Sequence, residues 1–213
     1  IQGEGGIRPV PAKCLKGLRD LSDKHGILLV FDEIQCGMGR TGKLFAHQHT
    51  SVTPDIMASA KGIGGGYPLG ACLATSEAAK GMVAGTHGST YGGNPMAMAI
   101  GNAVLDVILE EGFLDHVSQM SLLLNQKLAG VTDEFPDILS GARGAGLMLG
   151  LECKVANTEV QAACVANDLL VVAAGDNVVR LLPPLNITAE EVSQAVNRIE
   201  AACRQLRSSS GSN

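Results

Sequence analysis

Apolar and polar positions along the chain fall into two textures, and the change comes near Gly112. Residues 11–25 place Leu15, Leu18 and Leu21 at helical spacing, with Gly26 following as a stop. Residues 27–31 form a continuous apolar run, the pattern of a strand buried on both faces. The run ends abruptly at Asp32-Glu33, and a glycine-rich loop covers residues 36–42. Residues 55–60 predict a second strand, followed at once by Lys61 and the glycine-rich residues 62–66. Residues 69–74 predict a third strand, with Ser76 set to cap a helix after it. A loop over 85–93 leads into a helix that starts near Asn94-Pro95, where proline is tolerated in the first turn, and runs to Glu110.

Beyond Gly112 the spacing predicts one long amphipathic helix over 113–135, and a strand over 143–154 that bends at Gly146. It also predicts a helix over 158–168 and short strands at 171–172 and 178–182, the second ended by Pro183-Pro184. A closing helix spans 188–207, with Thr188 and Glu191 at capping-box spacing. The expected organisation is therefore an α/β layer with parallel-type strands over residues 1–111, a smaller α+β domain over 112–207, and a frayed tail over 208–213.

Composition narrows the class. The chain has 213 residues, 46% hydrophobic and 17% charged, which fits a folded core and argues against disorder. Trp is absent and aromatics make up 3%, so Val, Leu, Ile, Ala and Met must build that core. A net charge of -5 gives no reason to expect a nucleic-acid partner. No apolar run approaches the roughly 20 residues of a membrane-spanning helix, so no membrane partner is expected. The six cysteines contain no CxxC pair and no signal peptide is visible, which reads as reduced thiols in a cytoplasmic protein. The chain opens at Ile1 directly into a glycine-rich loop, which reads as a sign that an amino-terminal portion precedes it.

Two motifs are set aside. Gly37-Met38-Gly39-Arg40-Thr41-Gly42 satisfies GxGxxG, yet residues 32–36 separate the strand from the first glycine. The stretch after Gly42 is a poor helix, and nucleotide binding would require a helix starting there. The overlapping GxxxxGK has Leu44 where a hydroxyl must meet the metal. An irregular loop is the better reading. His47 and His49 lack a third ligand nearby and read as a solvated or locally bonded pair, with no metal expected.

Chemistry concentrates at the strand ends. Asp32 closes one buried strand and Lys61 follows the next, and open parallel sheets bind ligands at the carboxyl ends of their strands. A structural ion pair, or simply a strand-end acid and a surface lysine, would explain the two residues equally well. The glycine-rich residues 62–66 add access, because a bulky group could then reach the amine, as a covalently loaded lysine requires. An Asp facing a pyridine nitrogen would keep it protonated and make the ring an electron sink. Residues 89–95, Ser-Thr-Tyr-Gly-Gly-Asn-Pro, offer a hydroxyl, glycines and a helix start, fit either for a phosphate or for an ordinary cap. Arg180 lies in an otherwise apolar strand and needs an anionic partner. That partner could be a substrate carboxylate held bidentately or a permanent acid such as Glu4 or Glu152.

Residues 31–42, then Pro54-Asp55-Ile56 through Lys61-Gly62, then residues 87–95, resemble the class III aminotransferases, and the likeness runs from Gln2 to about Arg204. The resemblance implies a fold-type I architecture: part of the large, mostly parallel-sheet domain plus the small carboxy-terminal α+β domain. It also implies pyridoxal 5'-phosphate, transamination of an ω-amino group to 2-oxoglutarate, and a homodimer with sites at the subunit interface. The wording is closest to members acting on N-acetylornithine in arginine biosynthesis; ornithine, succinylornithine and 4-aminobutyrate are the alternative donors.

By the same resemblance, Lys61 would hold the cofactor and move protons. Asp32 would pair with the pyridinium nitrogen, Gln35 with the phenolic oxygen, and Ile34 would pack on the ring. Thr90 would contact the phosphate of the neighbouring subunit's cofactor, and Ser89 would lie on the substrate side. Arg180 would bind a substrate carboxylate, with Glu4 as a switch acid that pairs with it or releases it. The family is about twice this long. Its other half would carry a phosphate cup, a ring-stacking aromatic and a further substrate arginine, so the 213 residues by themselves are expected to bind the cofactor poorly, or to be a non-catalytic fragment.

Overall fold

A computed structural model describes residues 1–210. The chain forms two compact units: Val10–Leu114, and Ile1–Pro9 together with the chain from Asp115 onward. The boundary falls close to the change of texture. The first nine residues, expected to belong with the first part, pack instead with the second.

In the unit Val10–Leu114, helix α1 (Ala12–His25) ends at Gly26, whose φ of 63° is the left-handed cap conformation. Strands β1 (Val30–Asp32), β2 (Ile56–Ser59) and β3 (Ala71–Ala74) form a sheet in the order β1-β2-β3. β1 and β2 run parallel, whereas β3 is antiparallel to β2, which corrects the expectation of a uniformly parallel layer. Burial on both faces is corrected as well: Ile27, Leu28 and Val30 are exposed while Leu29 is buried and Phe31 half-buried, because successive side chains point to opposite faces and only one face is covered. Asp55 ties this layer together. Its Oδ2 accepts from the Leu29 amide at 2.7 Å and from the Arg19 guanidinium of α1 at 2.8 Å. These bonds, the backbone one foremost, hold its carboxyl below the usual range.

After β3 the expected helix is a single 3-10 turn over Ala78–Gly81. Thr75 Oγ1, not Ser76, accepts the Ala78 amide. Helix α2 (Pro95–Ile108) starts as predicted, with the Asn94 side chain accepting the Ala97 amide at 2.9 Å. It packs on a 3-10 turn, Lys61–Gly64, and comes so close to the neighbouring loop that a Cβ on Gly101 would meet Leu69 at 2.9 Å.

The second unit is an antiparallel sheet with helices. α3 (Phe113–Glu134) buries Val117, Leu124, Leu128 and Val131, a helical stripe. The predicted bent strand is two strands, β4 (Leu139–Ala145) and β5 (Met148–Cys153), because the left-handed Gly146 reverses the chain instead of bending it. α4 (Asn157–Ala166), β6 (Val172–Ala174), β7 (Val178–Leu181) and α5 (Ala189–Ser210) follow, and the sheet order is β4-β5-β7-β6. α4 packs on α5 and on β6 and β7. The capping box of α5 is present: Glu191 Oε2 accepts the Thr188 amide at 2.8 Å, and Thr188 Oγ1 accepts the Glu191 amide. The helix continues through Ser210, so residues 208–210 are not frayed; residues 211–213 of the expected tail lie outside the described residues.

Candidate active site

The register of β1 on β2 sets Asp32 beside Ala58, and Lys61 follows three residues later. Both residues therefore emerge at the carboxyl ends of adjacent parallel strands, the edge where open sheets bind ligands. Both are exposed. Asp32 Oδ1 accepts the Ile34 amide at 2.9 Å, which turns the chain out of the strand and brings Ile34 and Gln35, both half-buried, to the same edge. Among the described residues Asp32 and Lys61 form no ion pair with each other, so of the two structural readings only that of a strand-end acid and a surface lysine stands beside the functional one.

Lys61 has a φ of 50°, an unusual conformation for a long side chain. Such positions persist where the surroundings over-determine them, and they cluster at functional sites. The glycines beyond it let the chain pack closely: a Cβ on Gly62 would lie 3.1 Å from Met38 and one on Gly65 2.8 Å from Val104, while only Gly66 faces open space. An exposed primary amine and a carboxylate at the next strand end are the donor set a pyridine aldehyde needs, so these residues fit pyridoxal phosphate.

Sequence reading missed what holds this edge. Glu33 is 3% exposed. Its oxygens accept the Ala46 amide at 2.9 Å, the His47 amide at 2.8 Å and the Cys36 thiol at 3.1 Å, and Oε1 lies 3.2 Å from His47 Nδ1. One carboxylate thus closes the loop that begins immediately after Asp32. The partners lie up to 14 residues away in irregular chain, so no spacing announces them. Residues 43–45 are bends, and a short 3-10 helix, Ala46–His49, follows; no helix starts at Gly42, and the condition for nucleotide binding is unmet. His49 Nε2 lies 3.0 Å from the Thr41 carbonyl, so both histidines are locally bonded as expected. Next to Glu33, and desolvated, Cys36 has its thiol pushed up to about 12.

Ser89 and Thr90 lie in an exposed loop before α2. Ser89 Oγ accepts the Gly92 amide at 2.9 Å, and the α2 start is already capped by Asn94.

Arg180 and Glu4 meet in the other unit, with Nη1 2.6 Å from Oε1. Their environments differ sharply: the Arg180 side chain is 10% exposed and that of Glu4 is 79% exposed. Glu152 pairs with Arg143 at 2.7 Å, so of the two acids considered for Arg180 it is Glu4 that takes the role.

The residues so positioned belong to a recognisable chain. The aminotransferase class-III family model matches residues 1–203. The acetylornithine aminotransferase of Mesorhizobium japonicum is 63% identical over 97% of this chain and 52% of its own length. That of Agrobacterium fabrum is 58% identical over the same shares. Among solved structures, the N-acetylornithine aminotransferase from Stenotrophomonas maltophilia superposes with a TM-score of 0.88 at 39% identity, covering 98% of this chain and 56% of that one. The ornithine aminotransferase from Toxoplasma gondii superposes at 0.91 with 31% identity, covering 98% and 51%. The chain spans about half the length of the curated relatives it matches. With the family model matched over nearly all its length, the chain belongs to the class III aminotransferases.

Proposed function

We propose that these residues serve a pyridoxal-phosphate-dependent transamination in which an ω-amino group, that of N-acetylornithine, passes to 2-oxoglutarate. The observation that carries the reading is the register that sets Asp32 and Lys61 at neighbouring parallel strand ends, with both side chains exposed. The acetylornithine aminotransferases among the relatives supply the choice of donor.

Lys61 Nζ would hold the cofactor, Asp32 would keep its ring nitrogen protonated, Gln35 would bond the phenolic oxygen and Ile34 would cover the ring. Bound pyridoxal phosphate would supply an electron sink for the charge that develops at the substrate carbon. Lys61 Nζ would take the proton from the amino-bearing carbon of the donor. In the return half-reaction it gives a proton to the carbon of the acceptor. Thr90 contacts the cofactor phosphate of a second subunit in a homodimer, and Ser89 lines the substrate side. Arg180 takes a substrate carboxylate through its planar fork.

The asymmetry of the Arg180–Glu4 pair supports a switch. A buried guanidinium requires an anion at all times, whereas an exposed carboxylate contributes little and leaves readily. Glu4 therefore covers Arg180 until a second substrate carboxylate arrives. The soluble cytoplasmic setting of such an enzyme is part of the same proposal; among the described residues no helix is long and apolar enough to cross a membrane.

Because the chain spans half its relatives' length, the test has two arms. The 213-residue chain alone, and the same chain joined behind the amino-terminal half of the Mesorhizobium japonicum relative, are titrated with pyridoxal phosphate and reduced with borohydride. The joined protein is expected to carry the label on Lys61 and to turn over N-acetylornithine faster than ornithine or 4-aminobutyrate; the chain alone binds weakly. A label that persists in Lys61→Ala sinks the assignment. A joined protein that binds but does not transaminate favours the alternative, a non-catalytic fragment.

A further inference from the structure

We infer that Arg143 is a positioning residue that sets the Glu4–Arg180 switch by holding the backbone of the loop that carries Glu4. The inference rests on the reading of Arg180 as a carboxylate site and adds the element that governs it.

Arg143 on β4 pairs with Gly150 on β5, and Gly150 pairs with Arg180 on β7. Residues directly opposite on antiparallel strands share a face, so the two arginines stand in one row with a bare position between them. Residues 2–8 lie over that position. Gln2 and Arg8 bridge at the loop's base, and Ile7 is fully buried on Gly150, where a Cβ would come within 3.2 Å of it. Ile7 has a φ of 54°, a strained conformation for a β-branched residue. Such a residue stays in place only where its surroundings over-determine it.

The surroundings are specific. Arg143 Nε donates to the Gly6 carbonyl at 2.8 Å. Its two remaining nitrogens are fixed by Glu152 and Asp176, and Asp176 also binds Arg8. These guanidinium contacts, that of Arg143 first, hold the Asp176 carboxyl below its ordinary range. The Gly175 amide donates to the Glu4 carbonyl at 2.9 Å. Gly6, at a φ of 101°, leaves no room for a side chain: a Cβ would lie 2.6 Å from the Gly175 carbonyl and 2.9 Å from Arg143 Nη2. The main chain of Glu4 is thus fixed on both sides, while its carboxylate stays exposed. The geometry lets the Glu4 side chain swing with the backbone still, and Arg143 is the group that keeps it still.

The test uses the full chain with glutarate as a dicarboxylate probe, followed by the NMR signal of the Arg180 Nε–H. Glu4→Gln is expected to tighten glutarate binding by about two- to fivefold, the range implied by losing an exposed carboxylate partner. Arg143→Met is expected to tighten it to a similar degree, because a loosened loop covers Arg180 less. The double variant should match Glu4→Gln alone, a coupling that general loss of stability would not produce. Glu152→Gln, which removes an Arg143 partner lying outside the loop, should move affinity in the same direction and decides the matter if Arg143→Met does not fold. If Glu4→Gln tightens binding while Arg143→Met and Glu152→Gln keep the parent affinity, the role of Arg143 is overturned and the carboxylate site stands. If glutarate leaves the Arg180 signal unmoved even in Glu4→Gln, the carboxylate site and the inference fall together.

Discussion

Arg143 and Arg180 occupy the same row of the β4-β5-β7-β6 sheet, one strand apart, and each holds the loop of residues 2–8 by a different atom. Arg143 grips a main-chain carbonyl and Arg180 a side-chain carboxylate. The two contacts divide the labour: one fixes the loop and the other is free to change partner.

Replacement of Arg180 by Lys keeps the charge and removes the fork. A lysine makes a point contact where a guanidinium makes two parallel bonds. Steady-state kinetics of the joined protein should show kcat/KM for 2-oxoglutarate reduced roughly tenfold or more, the loss expected for one charged hydrogen bond. Unchanged kinetics would remove Arg180 from the substrate site.

Glu33 should matter more for stability than its position in the sequence suggests. Glu33→Ala leaves the Ala46 and His47 amides without their acceptor in a buried setting. Urea unfolding should register a loss of roughly 2–3 kcal/mol. Glu33→Gln, which keeps one acceptor oxygen, should lose less. Equal losses in the two variants would show that the carboxylate charge, not the acceptor pattern, closes the loop.

Stability should fall on the acid side through a small set of carboxylates. Asp55, Asp137, Asp176 and Glu191 are all held below their ordinary values, Asp55 by the Leu29 amide, Asp137 by Arg207, Asp176 by Arg143 and Glu191 by the Thr188 amide. With the folded value lower, the unfolded chain binds more protons as pH drops. Their contribution is therefore complete above the unfolded value of about 4 and is lost as pH falls through the folded values. Thermal melts should be flat from pH 7 to about 5 and decline below about 4. Asp55→Asn should melt lower at pH 7 and show a shallower acid decline; a parallel curve would exclude Asp55 from the effect.

The cysteines should sort by burial. Cys36, Cys153, Cys164 and Cys203 are buried, with thiols pushed up to about 12, 11, 11 and 12 by desolvation above all. Cys14 and Cys72 are exposed. At pH 8 a disulfide reagent should modify Cys14 and Cys72 within minutes and the other four only after denaturation, since thiolate fraction and access set the rate. Rapid modification of Cys36 in the native protein would show that the loop closed by Glu33 opens readily.

Local signals carried far in this chain. The α1 stop at Gly26, the Asn94-Pro95 start and the Thr188–Glu191 box were legible because each is a contact between near neighbours. Asp32 and Lys61 stood out because charge follows directly on apolar runs. What the pattern hid was non-local. Periodicity could not tell one bent strand from the β4–β5 hairpin, because only the conformation at Gly146 decides between them. A run of apolar residues at 27–31 promised burial on both faces, of which only one is covered. The criterion that singled out Arg180, a guanidinium in an apolar strand, applies equally to Arg143, yet its partners at Gly6 and Asp176 are brought to it only by the fold. Glu33 carried no signal of its own beside Asp32, because the amides it accepts arrive from a loop with no periodicity.

The attachment of the first nine residues to the carboxy-terminal unit has a practical corollary. That unit, produced from residue 115 onward, would present an empty socket over Gly150 and an Arg180 from which Glu4 has been taken away. A synthetic nonapeptide of residues 1–9 should then behave as its ligand, filling the socket with Ile7 and returning Glu4 to Arg180. Residues 1–9 are, in this sense, a removable plug.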